Sequence, residues 1–247
     1  MTKPLAIVLA AGKGTRMKSD EPKVLCEALG RPLVEYVLDA LDASGIGRIL
    51  VVVGYRADAV RRALTGRPSL EFVEQTEQLG TGHAVQVCSD RLVGHDGAVL
   101  VLAGDSPLVQ STSIRRLLDE FDRDRPACIL GTLHKSDPTG LGRILRDAQG
   151  RFEAIVEEKD ATEQERQITE VNMSTYVFDC HELLHALGQL RNDNRAREYY
   201  ITDCPGILKS EGKEVRALPV LQPCEALSVN THEELRAVEN EMRRLGY

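Results

Sequence analysis

The chain is predicted to fold as an α/β domain: a Rossmann-like, mixed but mostly parallel sheet flanked by helices, with a small added β region. Three observations predict this. Leu5-Ala6-Ile7-Val8-Leu9 is an unbroken apolar run ending at a glycine-rich turn, the pattern of a strand buried on both faces. Further short apolar runs at 49–53, 70–73 and 98–102 alternate with segments of helical period, which implies βαβ units. A length of 247 residues is enough for one large domain with a sizeable core.

The first strand leads into Gly12 and Gly14, which free the backbone to curl so that successive N–H groups can face one anion. Lys13, Arg16, Lys18 and Lys23 surround that turn with positive charge, and the combination points to phosphate. The turn is not a P-loop, because Gly12-Lys13-Gly14-Thr15 has the wrong order. Nor is it the dinucleotide fingerprint, since Met17 stands where a third small residue belongs.

Next, the apolar residues of 33–41 recur at helical spacing, with Glu35, Asp39 and Asp42 on the other face and Gly45 and Gly47 as the stop. After the strand at 49–53 come a short helix at 57–64, a strand at 70–73, a helix at about 81–92 and a strand at 98–102. Asp105 follows that last strand directly. A carboxylate at a strand's carboxyl end, in the sheet that carries a phosphate turn, reads as a Mg²⁺ ligand as well as a turn residue. The second half adds strands at 129–133, 143–145, 152–156 and 170–178, with a hairpin turn at 147–150. A helix over 203–212, a strand over 215–220 and a final helix complete the chain. That last helix starts at Thr231, has capping-box spacing to Glu234, and buries Leu235, Val238, Met242 and Leu245. The later strands are read as built onto the sheet to form a lid over a second substrate.

Charge and composition narrow the function. With 31 basic and 38 acidic residues the net charge is −7, which argues against a general nucleic-acid binder. No apolar stretch is long enough to span a bilayer and no signal-peptide pattern is present, so no membrane partner and a cytoplasmic location are expected. Six cysteines without a Cys-x-x-Cys pair read as reduced, buried thiols.

Residues 9–17, reading Leu-Ala-Ala-Gly-Lys-Gly-Thr-Arg-Met, followed by Pro22-Lys23, resemble the signature of nucleotidyltransferases that join a nucleoside triphosphate to a sugar phosphate. Ordered segments at 78–84, 104–108, 137–144, 155–161, 198–203 and 229–230 extend the likeness along the chain. The chain is similar to the bacterial N-acetylglucosamine-1-phosphate uridyltransferases. The resemblance implies a GT-A-like fold in one domain, with a nucleotide-binding half (1–110), a sugar-binding half (111–230) and a C-terminal helix (231–247). It also implies that the acetyltransferase β-helix of the bifunctional family members has no counterpart here, which leaves open whether a separate acetyltransferase is a partner.

By that resemblance Leu9, Ala10, Ala11, Gly12, Gly14, Gln75, Gly80 and Thr81 bind the nucleotide. Arg16 and Lys23 are catalytic, holding the triphosphate and the attacking sugar phosphate. Gly142, Glu157 and Asn172 take the sugar, and Asp105 and Asn230 hold Mg²⁺. UTP and N-acetylglucosamine 1-phosphate are the implied substrates, joined by in-line displacement at the α-phosphorus. The nucleophile is already ionised, so no histidine base is required. Two places depart from the family pattern and bear on the sugar: Met173-Ser174 where a residue and glycine usually follow the asparagine, and Ala103 where a tyrosine often stands. Another sugar 1-phosphate, such as glucose 1-phosphate, is therefore the alternative. Remote readings are a non-catalytic sugar-nucleotide sensor and, from His181-Glu182-Leu183-Leu184-His185, a zinc protease.

Overall fold

The opening apolar run forms β1 (Leu5–Ala10) at the centre of the sheet. The computed structural model describes residues 2–14, 21–67 and 69–247. Strand β4 (Arg48–Val53) and strand β6 (Ala98–Ala103) flank β1, both parallel to it, and β5 (Leu70–Glu74) lies parallel outside β4. On the other flank β10 (Glu170–Asp179) runs antiparallel between β6 and β7 (Cys128–His134), and β11 (Val215–Leu218) closes the edge parallel to β7. The order is β11-β7-β10-β6-β1-β4-β5. The later strands are thus built onto the main sheet, as expected. Only β8 (Gly142–Arg146) and β9 (Phe152–Val156) branch off, as a hairpin attached to the start of β10.

The period-2 alternation of β1 supplies both core layers. Ala6, Val8 and Ala10 face α1 (Leu33–Ala43), α2 (Ala57–Ala63) and α5 (Ser111–Asp124), whose apolar stripes include Val37, Val60 and Leu117. Leu5 and Ile7 face α3 (Thr81–Gln86), α4 (Ser89–Leu92), α6 (Cys180–Leu187) and α7 (Asp203–Ser210). Each fully buried valine, leucine or isoleucine among these contributes about 1.5–3 kcal/mol. A third cluster holds α8 (His232–Leu245) through Val238 and Met242 against Ala28, Leu33 and Tyr36, near the small hairpin of β2 (Glu27–Ala28) and β3 (Arg31–Pro32).

Three local expectations are corrected. The helix expected over 81–92 is two pieces, because the amide of Cys88 bonds the carbonyl of Val85 and the Ser89 hydroxyl bonds that of Gln86 (2.9 and 2.7 Å), which tightens the chain out of α-helical register. Leu245, expected in the core, is 40% exposed in the last turn of α8. Thr231 does cap α8, accepting from the Glu234 amide at 3.1 Å, but the Glu234 carboxylate takes the amide of Asn230 at 2.6 Å instead of that of Thr231.

One buried carboxylate brings the two ends of the site together. Glu225 accepts from the Gln110 amide (3.0 Å), the Ser113 hydroxyl (2.6 Å) and the Gln222 amide (2.6 Å). It thereby ties the loop after β6 to the turn at 223–226, just before Asn230.

Candidate active site

The carboxyl ends of β1, β5 and β6 meet at one edge of the sheet, where ligands bind in open α/β folds. A cleft of about 310 Å³ lies there, lined by Leu9, Ala11, Gly12, Gly14, Lys23, Gln75, Gly80, Thr81 and Asp105 among others. Most of the residues expected at the nucleotide thus share one cavity. Ala10 differs: its side chain lies in the α1 layer of the core, so only its backbone is on offer to the cleft. Arg16, like Thr15 and Lys18, lies outside the described residues. Lys13 is turned towards Tyr55, its ammonium 5.4 Å from the ring centroid.

Lys23 is the focus of the cleft. Its Nζ lies 2.6 Å from Asp105 Oδ2 and donates to Asn230 Oδ1 at 2.9 Å. Residues 207 positions apart in sequence therefore meet at one ammonium. The glycine turn makes this approach feasible: Gly14 has φ +65°, and a Cβ there would stand 2.6 Å from Lys23 Cβ. On the far side, the Gly104 amide bonds the Leu9 carbonyl at 2.9 Å and so fixes Asp105 beside the turn.

Gln75 is buried and sits at the base of the cleft. Its Nε2 donates to the Gly80 carbonyl (3.1 Å) and contacts His83 Nδ1 (3.1 Å). Gly80 adopts φ +110° and packs under the chain at 198–200; a Cβ there would meet the Tyr199 carbonyl oxygen at 2.5 Å. The same stretch is stitched to Leu79, Thr81 and Gly82, with Tyr199 N to Leu79 O at 2.8 Å, Gly82 N to Tyr199 O at 2.7 Å and Ile201 N to Thr81 Oγ1 at 3.1 Å. Glu198 and Ile201, which carried no assigned role, thereby become cleft residues. Their only signal in the sequence was membership of a matching segment.

The three residues expected at the sugar converge beyond the cleft. Asn172 pairs with Gly142 across β10 and β8, and Glu157 directly follows β9, where the β8–β9 register continues opposite Gly142. Asn172 is buried, donating Nδ2 to the Tyr176 hydroxyl (2.6 Å) and accepting the Ser174 amide (3.2 Å). Each of its polar atoms retains one further hydrogen-bonding position. Ser174 does adopt a left-handed conformation (φ +53°), at a register shift in β10, and it lines the cleft with Ala103. Both departures from the family pattern therefore fall in the cavity wall.

Burial pushes the Glu157 carboxyl up. Thr202 Oγ1 is buried without a hydrogen-bond partner among the described residues. Asp203 is pushed up to about 6, first by desolvation and then by the negative charges of Glu157, Asp193 and Asp160. The ordinary value is 3.8, so protonated Asp203 favours the folded chain: its contribution is complete below about pH 4 and is lost as pH rises through 6. Asp203 is solvent-exposed in the first turn of α7, so screening reduces the effect to about 1 kcal/mol. Asp203→Asn should therefore match the wild type in denaturant melts at pH 4 and exceed it by about 1 kcal/mol at pH 7.5. Equal stability at both values would show that the carboxyl is not destabilised by its neighbours.

The His-Glu-x-x-His segment lies on α6, where His185 Nε2 contacts Glu211 Oε2 at 2.9 Å and His181 is 3.9 Å from Asp96. Among the described residues no group of three or more His, Cys, Asp or Glu is arranged to hold a metal. The two histidines lie at the surface beside carboxylates of Asp96 and Glu211.

A mostly parallel sheet with its cleft at these strand ends is the architecture of open α/β nucleotide-binding folds. A family model described as the MobA-like NTP transferase domain matches residues 6–204, and the chain belongs to that family. Among curated relatives, the bifunctional protein GlmU of Shouchella clausii is 41% identical over 99% of this chain and 53% of its own length. The GlmU of Lactococcus lactis subsp. lactis is 45% identical over 97% of the chain and 52% of its own length. The chain spans about half the length of these relatives. Solved structures of similar fold include a UDP-glucose pyrophosphorylase complexed with UDP-glucose (TM-score 0.78, 16% identity, 99% of this chain and 100% of that one). A putative glucose-1-phosphate thymidylyltransferase from Bacillus anthracis is a second (TM-score 0.80, 20% identity, 99% of this chain and 97% of that one). Among the described residues no helix is long and apolar enough to cross a membrane.

Proposed function

We propose that this chain is a uridyltransferase that makes UDP-N-acetylglucosamine and pyrophosphate from UTP and N-acetylglucosamine 1-phosphate. The observation that carries the reading is identity of 41–45% with GlmU proteins across nearly the whole chain, with Lys23, Asp105 and Asn230 meeting in the cleft. In this reading backbone groups at Ala11 and Gly12, together with the Gln75 amide, recognise the uracil edge. Lys23 stands between the two anionic substrates and offsets charge that builds as they approach. Arg16 is given the same task. Gly142, Glu157 and Asn172 bind the sugar and hold its phosphate in line with the α-phosphorus.

Asp105 and Asn230 would hold Mg²⁺. The donor set fits, being two oxygens without soft ligands, and the spot between them already accommodates a cationic group. The ion, when bound, would supply further neutralisation of phosphate charge. A cytoplasmic location accompanies this reading, in keeping with six free, buried thiols.

Phosphorus labelling tests the reaction. N-acetylglucosamine 1-[³²P]phosphate and unlabelled UTP should give UDP-N-acetylglucosamine labelled in its β-phosphate and unlabelled pyrophosphate. Labelled pyrophosphate, or hydrolysis of UTP with no label in the nucleotide sugar, would overturn the reading.

A further inference from the structure

The groups assigned to the metal are already engaged: Asp105 and Asn230 share the Lys23 ammonium. Lys23 Nζ lies 2.6 Å from Asp105 Oδ2 and 2.9 Å from Asn230 Oδ1, with the Lys23 side chain only 15% exposed. A divalent ion at about 2.1 Å from its oxygens would need the place that this ammonium fills. Two positive charges so close in a partly buried cleft repel strongly. The lysine stem, by contrast, is long and rotatable, and the ammonium has a third proton directed at neither partner.

We infer that Lys23 acts as a resident counter-cation that closes the Asp105–Asn230 pair until nucleotide arrives. The triphosphate draws the ammonium off Asp105 towards its own oxygens, and that movement frees Asp105 and Asn230 to accept the divalent ion. Lys23 then has two successive partners, a carboxylate in the free chain and phosphate in the complex. Binding of nucleotide and binding of metal become coupled, each raising the affinity for the other by the same factor. Gly14 contributes directly, since its missing side chain leaves room for the Lys23 stem against the turn. This inference rests on the metal role given above to Asp105 and Asn230.

The test is Mn²⁺ binding to the full chain without nucleotide, read by electron paramagnetic resonance of free Mn²⁺. Lys23→Met, which keeps the stem and removes the charge, should bind Mn²⁺ at least about tenfold more tightly than the wild type, as expected when a like charge leaves a metal site. Lys23→Ala should move in the same direction. Adding Asp105→Asn to either variant should abolish the gain, and saturating UTP should raise Mn²⁺ affinity more in the wild type than in Lys23→Met. Far-UV circular dichroism melts confirm that each variant is folded. Asp105-dependent binding that is no tighter in Lys23→Met and Lys23→Ala than in the wild type would overturn the inference and leave the metal site standing. Absence of any Asp105-dependent binding, with or without UTP, would remove the metal site itself and the inference with it.

Discussion

Lys23→Ala should lower kcat/KM for uridylyl transfer by about 100- to 1,000-fold at saturating magnesium, the usual effect of removing one preorganised contact to developing charge. The side chain emerges from the short turn Lys23–Leu25 and its ammonium reaches the middle of the cleft. Both substrates are anions, and their approach is opposed unless a positive group stands between them. The fold should survive, because the exposed side of Asp105 rehydrates when its partner is removed. Since Lys23 also competes for Asp105, the loss should not be rescued by raising magnesium further. Steady-state kinetics with a melting curve on the same sample check both halves. Near-normal turnover in folded Lys23→Ala would take the lysine out of the reaction.

The parallel half of the sheet was legible because its signals are local. A continuous apolar run needs burial on both faces, and β1, β4, β5 and β6 appear where such runs stand. α1 follows its apolar spacing and stops at Gly45, which has φ +78°. α5 carries an equally clear period at Ile114, Leu117, Leu118 and Phe121, yet no role or element had been assigned to it. Its signal was present and unread. The break at 87–88 was illegible, because one serine hydroxyl and a shortened hydrogen bond decide it. Leu245 shows the limit of periodicity, which gives the face of a helix but not where its partner ends.

The site divides in the same manner. That the glycine turn and Asp105 belong to one cleft could be read from residue types and from the place of Asp105 after a strand. That Asn230 shares an ammonium with Asp105 could come only from resemblance, because nothing local links positions so far apart in sequence. Glu225, which brings those two loops together, looked like any surface glutamate; its burial and three donors are products of tertiary packing. The raised pKa of Asp203 likewise depends on desolvation in the folded chain and on Glu157, Asp193 and Asp160 arriving from other loops.

In the proposed reaction the cleft joins UTP to an N-acetylated sugar phosphate. Its acetamide needs partners, and Asn172, held by Tyr176 and Ser174, has a donor and an acceptor position left, with the Glu157 carboxylate across the β8–β9 hairpin. Ser174 and Ala103 alter the cleft wall, but the Gly142–Asn172 pairing that frames the sugar residues is intact. Glucose 1-phosphate lacks the acetamide and would leave those buried groups unpaired, at about 1–3 kcal/mol per group. The most direct measurement is therefore kcat/KM with UTP for the two sugar 1-phosphates, followed by pyrophosphate release under identical conditions. N-acetylglucosamine 1-phosphate should be preferred by about 5- to 150-fold, the equivalent of one unpaired group. Equal values, or a preference for glucose 1-phosphate, would contradict the account.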